Sequence, residues 1–573
     1  MDKIWLKSYP PGVPHSIDPD QIDSLLQLMD EGMRAFRDRP AYKFMGKSMS
    51  FGQLDALSKR FAAYLQSLGL VKGDRVAIMM PNVPQYPVAV AGALRAGCVV
   101  VNVNPLYTAR ELEHQLKDSG AKAIVIIENF AATLQECLGK TAVGHIVLAA
   151  VGDLLGPLKG TLVNHVVRRV KKMVPPFELP GAVRFNKALD LGARAAWRAP
   201  KLAGSDVAVL QYTGGTTGVS KGAMLTHRNI VANILQAEAW NNILWAQLDR
   251  NEQPVLICAL PLYHIFGFTA CMMLNMRLGG CNVLIINPRD LPALFKDLAR
   301  QPFHSFPGVN TLFNAMVHHP DFHKVDWSQL RVTVGGGMQV QHHTAQLWRE
   351  RTSVNICEAY GLSETSPGVT CNIPTSTEFS GTIGLPFPST EVHILDEVGQ
   401  PVPLGSPGEI SVRGPQVMAG YWQRPDETAK VMTPDGFFRT GDIGVMDERG
   451  FVRVVDRKKD MILVSGFNVY PNEIEDVLTQ MPGVLEAAAV GVPDDKSGEA
   501  VKLVLVRESE AEHSPPVTEA DVRAYCEANL TGYKRPKVVE FRAELPKTPV
   551  GKVLRRELRD QPAVERVAQQ RAA

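Results

Sequence analysis

Alternating apolar and polar segments run through most of the 573-residue chain. Residues 20–70 predict two amphipathic helices that flank a short hairpin at 41–46. Strand-like runs at 75–80, 98–103 and 121–127 then alternate with helical patterns at 85–97 and 109–119. Because parallel strands need crossover helices between them, this alternation predicts a parallel α/β sheet.

A second series of the same kind follows from residue 205 to 340. Its predicted strands are 206–210, 255–259, 281–286 and 330–334, and a helix is predicted at 223–233. Between 382 and 450 the pattern changes to short strands, at 391–395, 408–412 and 417–421. The last part predicts helices at 472–480 and 518–529 and strands at 484–492 and 501–506.

The predicted fold is therefore a multidomain α/β protein. A large N-terminal domain, 1–456, comprises two α/β sheet lobes and a β-rich subdomain. A hinge at 457–460 joins it to a small, mobile α+β C-terminal domain at 461–573, which is long enough to fold by itself.

Composition excludes several classes of protein. The 61 basic and 59 acidic residues give a net charge of +2, too balanced for a nucleic-acid binder. The eight cysteines form no Cys-x-x-Cys pair, which argues against zinc and for a reducing compartment. No signal peptide or membrane-spanning run is evident, so we expect a cytoplasmic protein.

The stretch Gln211–Gly222 is the strongest chemical signal. Four glycines let backbone N–H groups turn toward one point, and three threonines, a serine and Lys221 add donors, so a polyphosphate is the expected ligand. The GTPase-type loop needs Gly-Lys-Ser/Thr at its end, whereas this stretch ends Ser-Lys-Gly, so that assignment fails.

These residues resemble the adenylate-forming superfamily of acyl-CoA synthetases, luciferases and adenylation domains. The resemblance continues through Tyr360–Thr365, Thr440–Asp442 and Asp456–Asp460 to Pro546–Lys552. Within that superfamily the order and spacing are most similar to bacterial long-chain fatty acid–CoA ligases. The resemblance implies ATP-dependent formation of an acyl-adenylate, with Mg²⁺ as cofactor, followed by transfer of the acyl group to CoA.

The candidate site residues fall into groups by expected role. Lys552, Thr217, Glu364 and Lys221 are the catalytic candidates, with Glu364 and Thr217 also expected to hold Mg²⁺. ATP or AMP is assigned to Thr213, Gly214, Gly215, Thr216, Gly218, Gly335, Gly336, Gly337, Tyr360, Gly361, Thr365, Asp442 and Arg457. The acyl group is assigned to His264 and Phe266, and the resemblance implies that Gly466 and Phe467 meet CoA and that Lys459 is the hinge.

Physical reasons support several of these roles. Tyr360 offers a flat face to adenine, and the glycines at 335–337 allow a planar base close to the backbone. Asp442 can accept both ribose hydroxyls. Lys552 is expected to be an exposed, permanently charged cation, and the resemblance implies that it contacts the carboxylate and the α-phosphate. Taken alone, His264 also fits a core histidine.

The basic amphipathic segment 162–174 has two interpretations: a helix with one packed face and a solvated basic rim, or a contact with an anionic membrane surface. The expected partners are ATP, a long-chain fatty acid and CoA, with no nucleic acid; membrane contact and a homodimer stay open. The alternative functions are a medium-chain or aryl acid–CoA ligase, an amino-acid adenylation enzyme, or a non-catalytic nucleotide-binding protein at a membrane.

Overall fold

A computed structural model describes residues 3–213, 220–246, 252–465, 467–494, 497–509, 515–548 and 551–560. The predicted pair of helices around a hairpin is confirmed near the N-terminus. Its elements are α1 Leu25–Ala35, β1 Pro40–Phe44, β2 Lys47–Ser50 and α2 Phe51–Ser67. Helix α2 begins where it does because Ser50 and Gln53 cap each other's backbone N–H groups.

The first lobe is a seven-stranded sheet with helices on its faces. Its elements are β3 Arg75–Met79, α3 Gln85–Arg95, β4 Val99–Asn102, α4 Ala109–Ser119, β5 Ala123–Ile127, α5 Ala131–Cys137, β6 His145–Ala149, α6 Pro157–His165, β7 Val183–Arg184, α7 Phe185–Gly192, β8 Val207–Thr213, β9 Lys221–Thr226 and α8 His227–Trp245. The strand order is β7-β6-β5-β3-β4-β8-β9, parallel except for the antiparallel β8–β9 pair. All five residues of β5 are buried, as expected for a central parallel strand.

The second lobe is a nine-stranded sheet. Its remaining elements are β10 Val255–Cys258, α9 Leu274–Leu278, β11 Cys281–Leu284, α10 Leu291–Leu298, β12 Ser305–Gly308, α11 Asn310–Val317, β13 Val332–Gly335, α12 His342–Thr352, β14 Ile356–Gly361, β15 Gly368–Cys371 and β16 Leu385–Pro386. The order is β16-β15-β14-β13-β12-β10-β11-β1-β2. The N-terminal hairpin therefore completes the second sheet, since Tyr42 pairs with Asn282 on β11.

The β-rich subdomain and the C-terminal unit follow in the predicted order. The subdomain comprises β17 Glu391–Leu395, β18 Gly408–Arg413, α13 Pro425–Val431, β19 Phe438–Met446 and β20 Val452–Arg457. The C-terminal unit comprises β21 Ile462–Val464, β22 Phe467–Val469, α14 Pro471–Leu478, β23 Val484–Asp494, β24 Gly498–Arg507, α15 Glu519–Asn529, β25 Val538–Arg542 and α16 Arg555–Asp560. The α/β class with a large N-terminal and a small C-terminal domain is confirmed, whereas the boundary at 457–460 stays a prediction.

Three predicted elements differ from the structure. The helix expected from residue 223 begins at His227, because 221–226 pair with β8 and Thr226 caps the helix. The strand expected at 417–421 is absent from this described segment, which makes one isolated bridge, Tyr421 to Ala223. The segment 162–174 is α-helical only to His165 and continues as a π-helix over Val166–Val170.

Candidate active site

Asp442 lies on β19 of the β-rich subdomain, where the β19–β20 ladder places it opposite Arg457. The Arg457 Nε lies 3.1 Å from Asp442 Oδ1, and the Tyr360 hydroxyl donates to Oδ2 at 2.7 Å. Asp442 is buried. A buried carboxylate with both oxygens engaged is held in one orientation, and its acceptors are ready for two ribose hydroxyls.

Near Tyr360, glycines form one wall of the site. Other atoms of the protein already occupy the space where a side chain would lie at these positions. A Cβ on Gly336 would lie 2.9 Å from the Phe266 ring and 3.0 Å from the Ala359 carbonyl oxygen. At Gly361 a Cβ would lie 1.8 Å from the Pro367 carbonyl oxygen. The wall therefore links the predicted adenine residues directly to Phe266 of the predicted acyl pocket.

Gly335 and Gly337 complete that wall for different reasons. A Cβ on Gly335 would lie 2.5 Å from Val340 Cγ2, whereas Gly337 has a φ of +76°, which favours glycine. The Thr365 hydroxyl is bonded to the backbone of Leu362 and Pro367, and its assignment to the nucleotide stays a prediction. It shapes the turn that carries Glu364.

Glu364 is buried, and its Oε1 accepts the Tyr421 hydroxyl at 2.8 Å. Burial raises the pKa of the Glu364 carboxyl, while the bond from Tyr421 opposes that rise. The Lys221 ammonium lies 5.3 Å from the centre of the Tyr421 ring and forms an ion pair with Glu427. Tyr421 therefore stands between the predicted magnesium ligand and the predicted phosphate-binding lysine.

Lys552 follows a turn that the second lobe supports. The Arg289 Nη2 donates to the Thr548 carbonyl at 3.0 Å, and the Thr311 hydroxyl donates to the Gly551 carbonyl at 3.4 Å. Gly551 has a φ of +83°, so a glycine suits this position. The turn brings Lys552 to the electrostatic neighbourhood of Asp442 and Arg457.

The expectation that Lys552 is exposed and permanently charged is wrong for this structure. The side chain is half-buried, and the loss of hydration together with the charges of Arg457 and Lys459 lowers the pKa of Lys552 to about 7. A lysine in such a position is charged only in part at neutral pH and gains a full charge when anions bind beside it.

His264, a predicted residue of the acyl pocket, lies close enough to Lys552 to be affected by its charge. Burial, and then the charge of Lys552, lower the pKa of His264 to about 4. Its Nδ1 accepts the Phe266 backbone N–H at 3.3 Å. A neutral ring with one nitrogen already bonded to backbone fits a wall of the pocket better than a proton carrier.

Some of the remaining predicted site residues are not among those that the structure describes. Six predicted residues lie outside the described residues: Gly214, Gly215, Thr216, Thr217, Gly218 and Gly466. Thr213 ends β8 and pairs with Lys221. Lys459 is exposed, with a pKa lowered by partial loss of hydration and by Arg457. Phe467 is 56% exposed and stacks on Tyr533 at 4.7 Å within the C-terminal domain.

The structure adds four residues that the sequence analysis missed: Tyr421, Glu427, Thr311 and Glu358. Tyr421 and Glu427 fall in a segment dense in aromatic and charged residues, 420–430, a signal that the strand prediction obscured. Glu358 is buried, which raises the pKa of its carboxyl to about 8, and Oε1 accepts the Val340 N–H at 3.0 Å. No local pattern marked Thr311, whose role depends on a contact 240 residues away.

The chain is similar to known proteins over most of its length. Residues 29–422 match the model of the AMP-binding enzyme family, and residues 473–552 match that of the AMP-binding enzyme C-terminal domain. The chain is 54% identical over 562 residues to a long-chain-fatty-acid–CoA ligase of Escherichia coli O6:H1, covering 98% of both chains. It is 48% identical to the Haemophilus influenzae enzyme of the same name over 567 residues, which cover 99% of this chain and 100% of that one.

A solved structure is similar to this chain over both of its domains. The crystal structure of ATP-bound MatB from Rhodopseudomonas palustris superposes with a TM-score of 0.78 at 29% identity, covering 94% of this chain and 98% of that one. The matches span both the large domain and the small C-terminal one. The chain therefore belongs to the AMP-binding enzyme family.

Proposed function

We propose that this protein is a long-chain fatty acid–CoA ligase. A fatty carboxylate attacks the α-phosphorus of ATP, the bond to the β-phosphate oxygen breaks, and pyrophosphate leaves. The CoA thiol then attacks the acyl carbon of the acyl-adenylate, AMP leaves, and the thiol proton passes to solvent. The observation that carries the proposal is the position of Lys552, from the C-terminal domain, near the Asp442–Arg457 ion pair of strands β19 and β20.

Positioning and charge neutralisation are the main tasks in this chemistry. Asp442, oriented by Tyr360 and Arg457, would hold the ribose. Lys552 would bind the α-phosphate and the attacking carboxylate. Since both ligands are anions, their approach raises the pKa of Lys552 from its lowered value in the free enzyme. The ammonium is therefore fully charged when charge develops at phosphorus.

Residues present in the site fit a magnesium ion. Glu364 presents a buried carboxylate to a cavity of about 320 Å³, and oxygen ligands are those that Mg²⁺ prefers. Glu364 would hold the ion together with Thr217, which lies outside the described residues. When bound, magnesium would neutralise charge on the phosphates, and it would also lower the raised pKa of Glu364.

Replacement of Glu364 tests that assignment. In Glu364→Gln a neutral amide replaces the carboxylate, so half-saturation by magnesium should need roughly tenfold more of the ion. A magnesium titration of fatty-acid-dependent pyrophosphate release measures this. Glu113→Gln, a carboxylate paired with Lys117 and Lys140 in the first lobe, is the control and should leave the titration unchanged. A Glu364→Gln titration identical to the parent would remove the assignment.

The acyl pocket accounts for a preference for long chains in simple terms. Phe266 and the neutral His264 form an uncharged wall next to Gly336. Each methylene buried against such a wall contributes about 0.8 kcal/mol, so long acids are favoured by their length alone. The names of the curated relatives support the same class of acid.

One experiment tests the proposed function against its alternatives. Purified protein is supplied with ATP, magnesium and CoA and with acids from acetate to oleate, cinnamates and amino acids, and pyrophosphate and thioester are measured. We expect kcat/KM to rise with chain length. A maximum with cinnamate or with a medium-chain acid would favour an alternative ligase, and no acid-dependent pyrophosphate would overturn enzymatic activation altogether.

We also propose peripheral contact with a membrane through the surface formed by residues 158–173. No helix in the described part of the chain is long and apolar enough to cross a bilayer. On this surface Leu158 is 88% and Leu162 63% exposed, and the exposed Arg169, Lys171 and Lys172 lie beside them. Apolar side chains with a basic rim fit an anionic lipid surface.

Vesicle sedimentation tests this contact. The parent should sediment with phosphatidylglycerol vesicles and much less with phosphatidylcholine, and the double variant Leu158→Asp, Leu162→Asp should lose that binding. Val398→Asp, another exposed apolar position, is the control. Equal vesicle binding by the double variant would refute membrane contact through this surface.

The homodimer stays a prediction, to be checked by the molar mass of the chain in solution.

A further inference from the structure

Glu427 is placed where an anionic ligand of this enzyme would be expected. It lies on α13, and its two carboxylate oxygens bind different lysines. Oε2 forms an ion pair with Lys221, which follows the glycine-rich stretch, and Oε1 lies 2.5 Å from the Lys430 ammonium. These two cations lower the pKa of Glu427 to about 2, so the carboxylate is charged throughout the physiological range.

The two lysines differ in their surroundings. The Lys221 side chain is 36% exposed and lies over the Tyr421 ring, on the side of Glu364. The Lys430 side chain is 68% exposed and lines the cavity of about 320 Å³ that also reaches Glu364. Glu427 therefore lies between a lysine beside Tyr421 and a lysine that lines the cavity.

The cavity itself is suited to an anion that arrives with a metal ion. Cationic residues Lys430, Arg439 and Lys458 line it together with the carboxylates Glu364 and Glu409. The Arg439 Nε is buried and has no hydrogen-bond partner among the described residues. The volume of the cavity exceeds that of one pyrophosphate, which leaves room for bound water and a cation.

We propose that Glu427 is an internal substitute for pyrophosphate, that it bridges Lys221 and Lys430 in the empty enzyme, and that the adjoining cavity is the exit site for the leaving pyrophosphate. This inference rests on the proposed function. Departing pyrophosphate displaces the carboxylate from Lys221, moves past Lys430 and leaves through the cavity. Glu427 then returns to Lys221, which prevents rebinding of the product.

The proposal explains why an enzyme with a phosphate-binding lysine would keep a carboxylate on it. Without an internal competitor, a free lysine in a half-buried site would hold pyrophosphate longer. When the Glu427 carboxylate competes, an anion must break the existing ion pair in order to bind. The affinity of the site for pyrophosphate is therefore lower. Because the competing pair is partly exposed, the expected effect on binding is moderate.

Direct binding of magnesium pyrophosphate, measured by calorimetry, tests the proposal without fatty acid or CoA. In Glu427→Gln both lysines are released, so affinity for pyrophosphate should rise about two- to fivefold. In Lys430→Met it should fall by about the same factor, while the KM for ATP changes little. Product inhibition by pyrophosphate in steady-state assays should move in the same directions.

A matched helical ion pair far along the chain gives the control. Asp321 and Lys324 are also spaced by three residues and in contact, and Asp321→Asn and Lys324→Met should leave pyrophosphate binding unchanged. Thermal midpoints identify variants that fail to fold. Unchanged or weaker pyrophosphate binding in folded Glu427→Gln would overturn the proposal, as would unchanged binding in Lys430→Met.

The outcome is separable from that of the proposed function. Normal activation of fatty acids, with pyrophosphate binding insensitive to Glu427 and Lys430, would refute the exit site alone. Altered pyrophosphate binding in a protein that activates no fatty acid would instead refute the ligase, and with it the exit role of the cavity, while supporting Glu427 as a competitor of bound pyrophosphate.

Discussion

The protonation states of Lys552 and His264 depend on burial and on neighbouring charges more than on the ordinary pKa values of lysine and histidine. Lys552 has the lowered pKa of a half-buried cation near Arg457 and Lys459. His264 stays neutral for the same reasons, burial and a nearby cation. Because both pKa values are lowered, the empty site carries little positive charge at these two residues, and Lys552 becomes fully charged when an anion binds beside it.

The pKa of Lys552 predicts a pH dependence for the first half-reaction. Below about 7 the free enzyme holds Lys552 charged, and above it the charged fraction falls. We therefore expect kcat/KM for fatty-acid-dependent pyrophosphate release to decline as pH rises through that value. In Lys552→Arg the guanidinium stays charged, so the decline should vanish even if the maximum rate is lower. A profile with the same decline in both proteins would assign it to another group.

At the scale of elements, turns and hairpins decide which side chains meet. The β19–β20 hairpin sets Asp442 opposite Arg457, and hydrogen bonds between Thr548 and Lys552 hold Lys552 in place. The Thr548 N–H donates to the Lys552 carbonyl at 2.7 Å, and the Lys552 N–H donates to the Thr548 hydroxyl at 3.0 Å. Short elements of this kind fix a functional side chain with few residues.

Gly551→Ala tests the turn. Its φ of +83° disfavours alanine, and the new Cβ would lie 2.5 Å from the Thr311 hydroxyl oxygen. We expect the turn to shift and pyrophosphate release to fall by about tenfold or more, since small misplacements of a catalytic group have large effects. Gly532→Ala, a position with no heavy atom near the added Cβ, is the control. Parental rates in folded Gly551→Ala would show that the turn tolerates the change.

At the scale of the whole molecule, two domains share one site. The Asn314 Nδ2 donates to the Leu485 carbonyl at 3.2 Å, and Arg289 donates to Thr548. These few polar contacts hold the C-terminal domain in the arrangement that presents Lys552. Small, polar interdomain contacts are the kind that a domain rotation can break and replace, as the second half-reaction would require.

Lys552→Ala should therefore separate the two half-reactions. Pyrophosphate release from ATP and fatty acid should fall at least about a hundredfold, whereas transfer from a supplied acyl-adenylate to CoA should persist. Lys547→Ala, which removes an ion pair with Glu486 inside the C-terminal domain, is the control. Equal losses in both half-reactions would contradict this division of roles.

The amino-acid sequence by itself determined the α/β class and the order of lobes, because helical and strand periodicities are local properties of consecutive residues. It also identified Asp442, Arg457, Glu364 and Lys552 as candidates through their motifs. Where elements meet distant partners, the local pattern is wrong: it places residues 223–226 at the start of a helix, although pairing with β8 makes them part of a strand.

Only the tertiary structure decided how the candidates act on one another. The bond from Tyr421 to Glu364, the ion pair of Lys221 with Glu427 and the support of Gly551 by Thr311 all join residues far apart in the chain. The lowered pKa of Lys552 has the same origin. Burial and proximity of charges depend on the packing of whole elements, which no window of neighbouring residues contains.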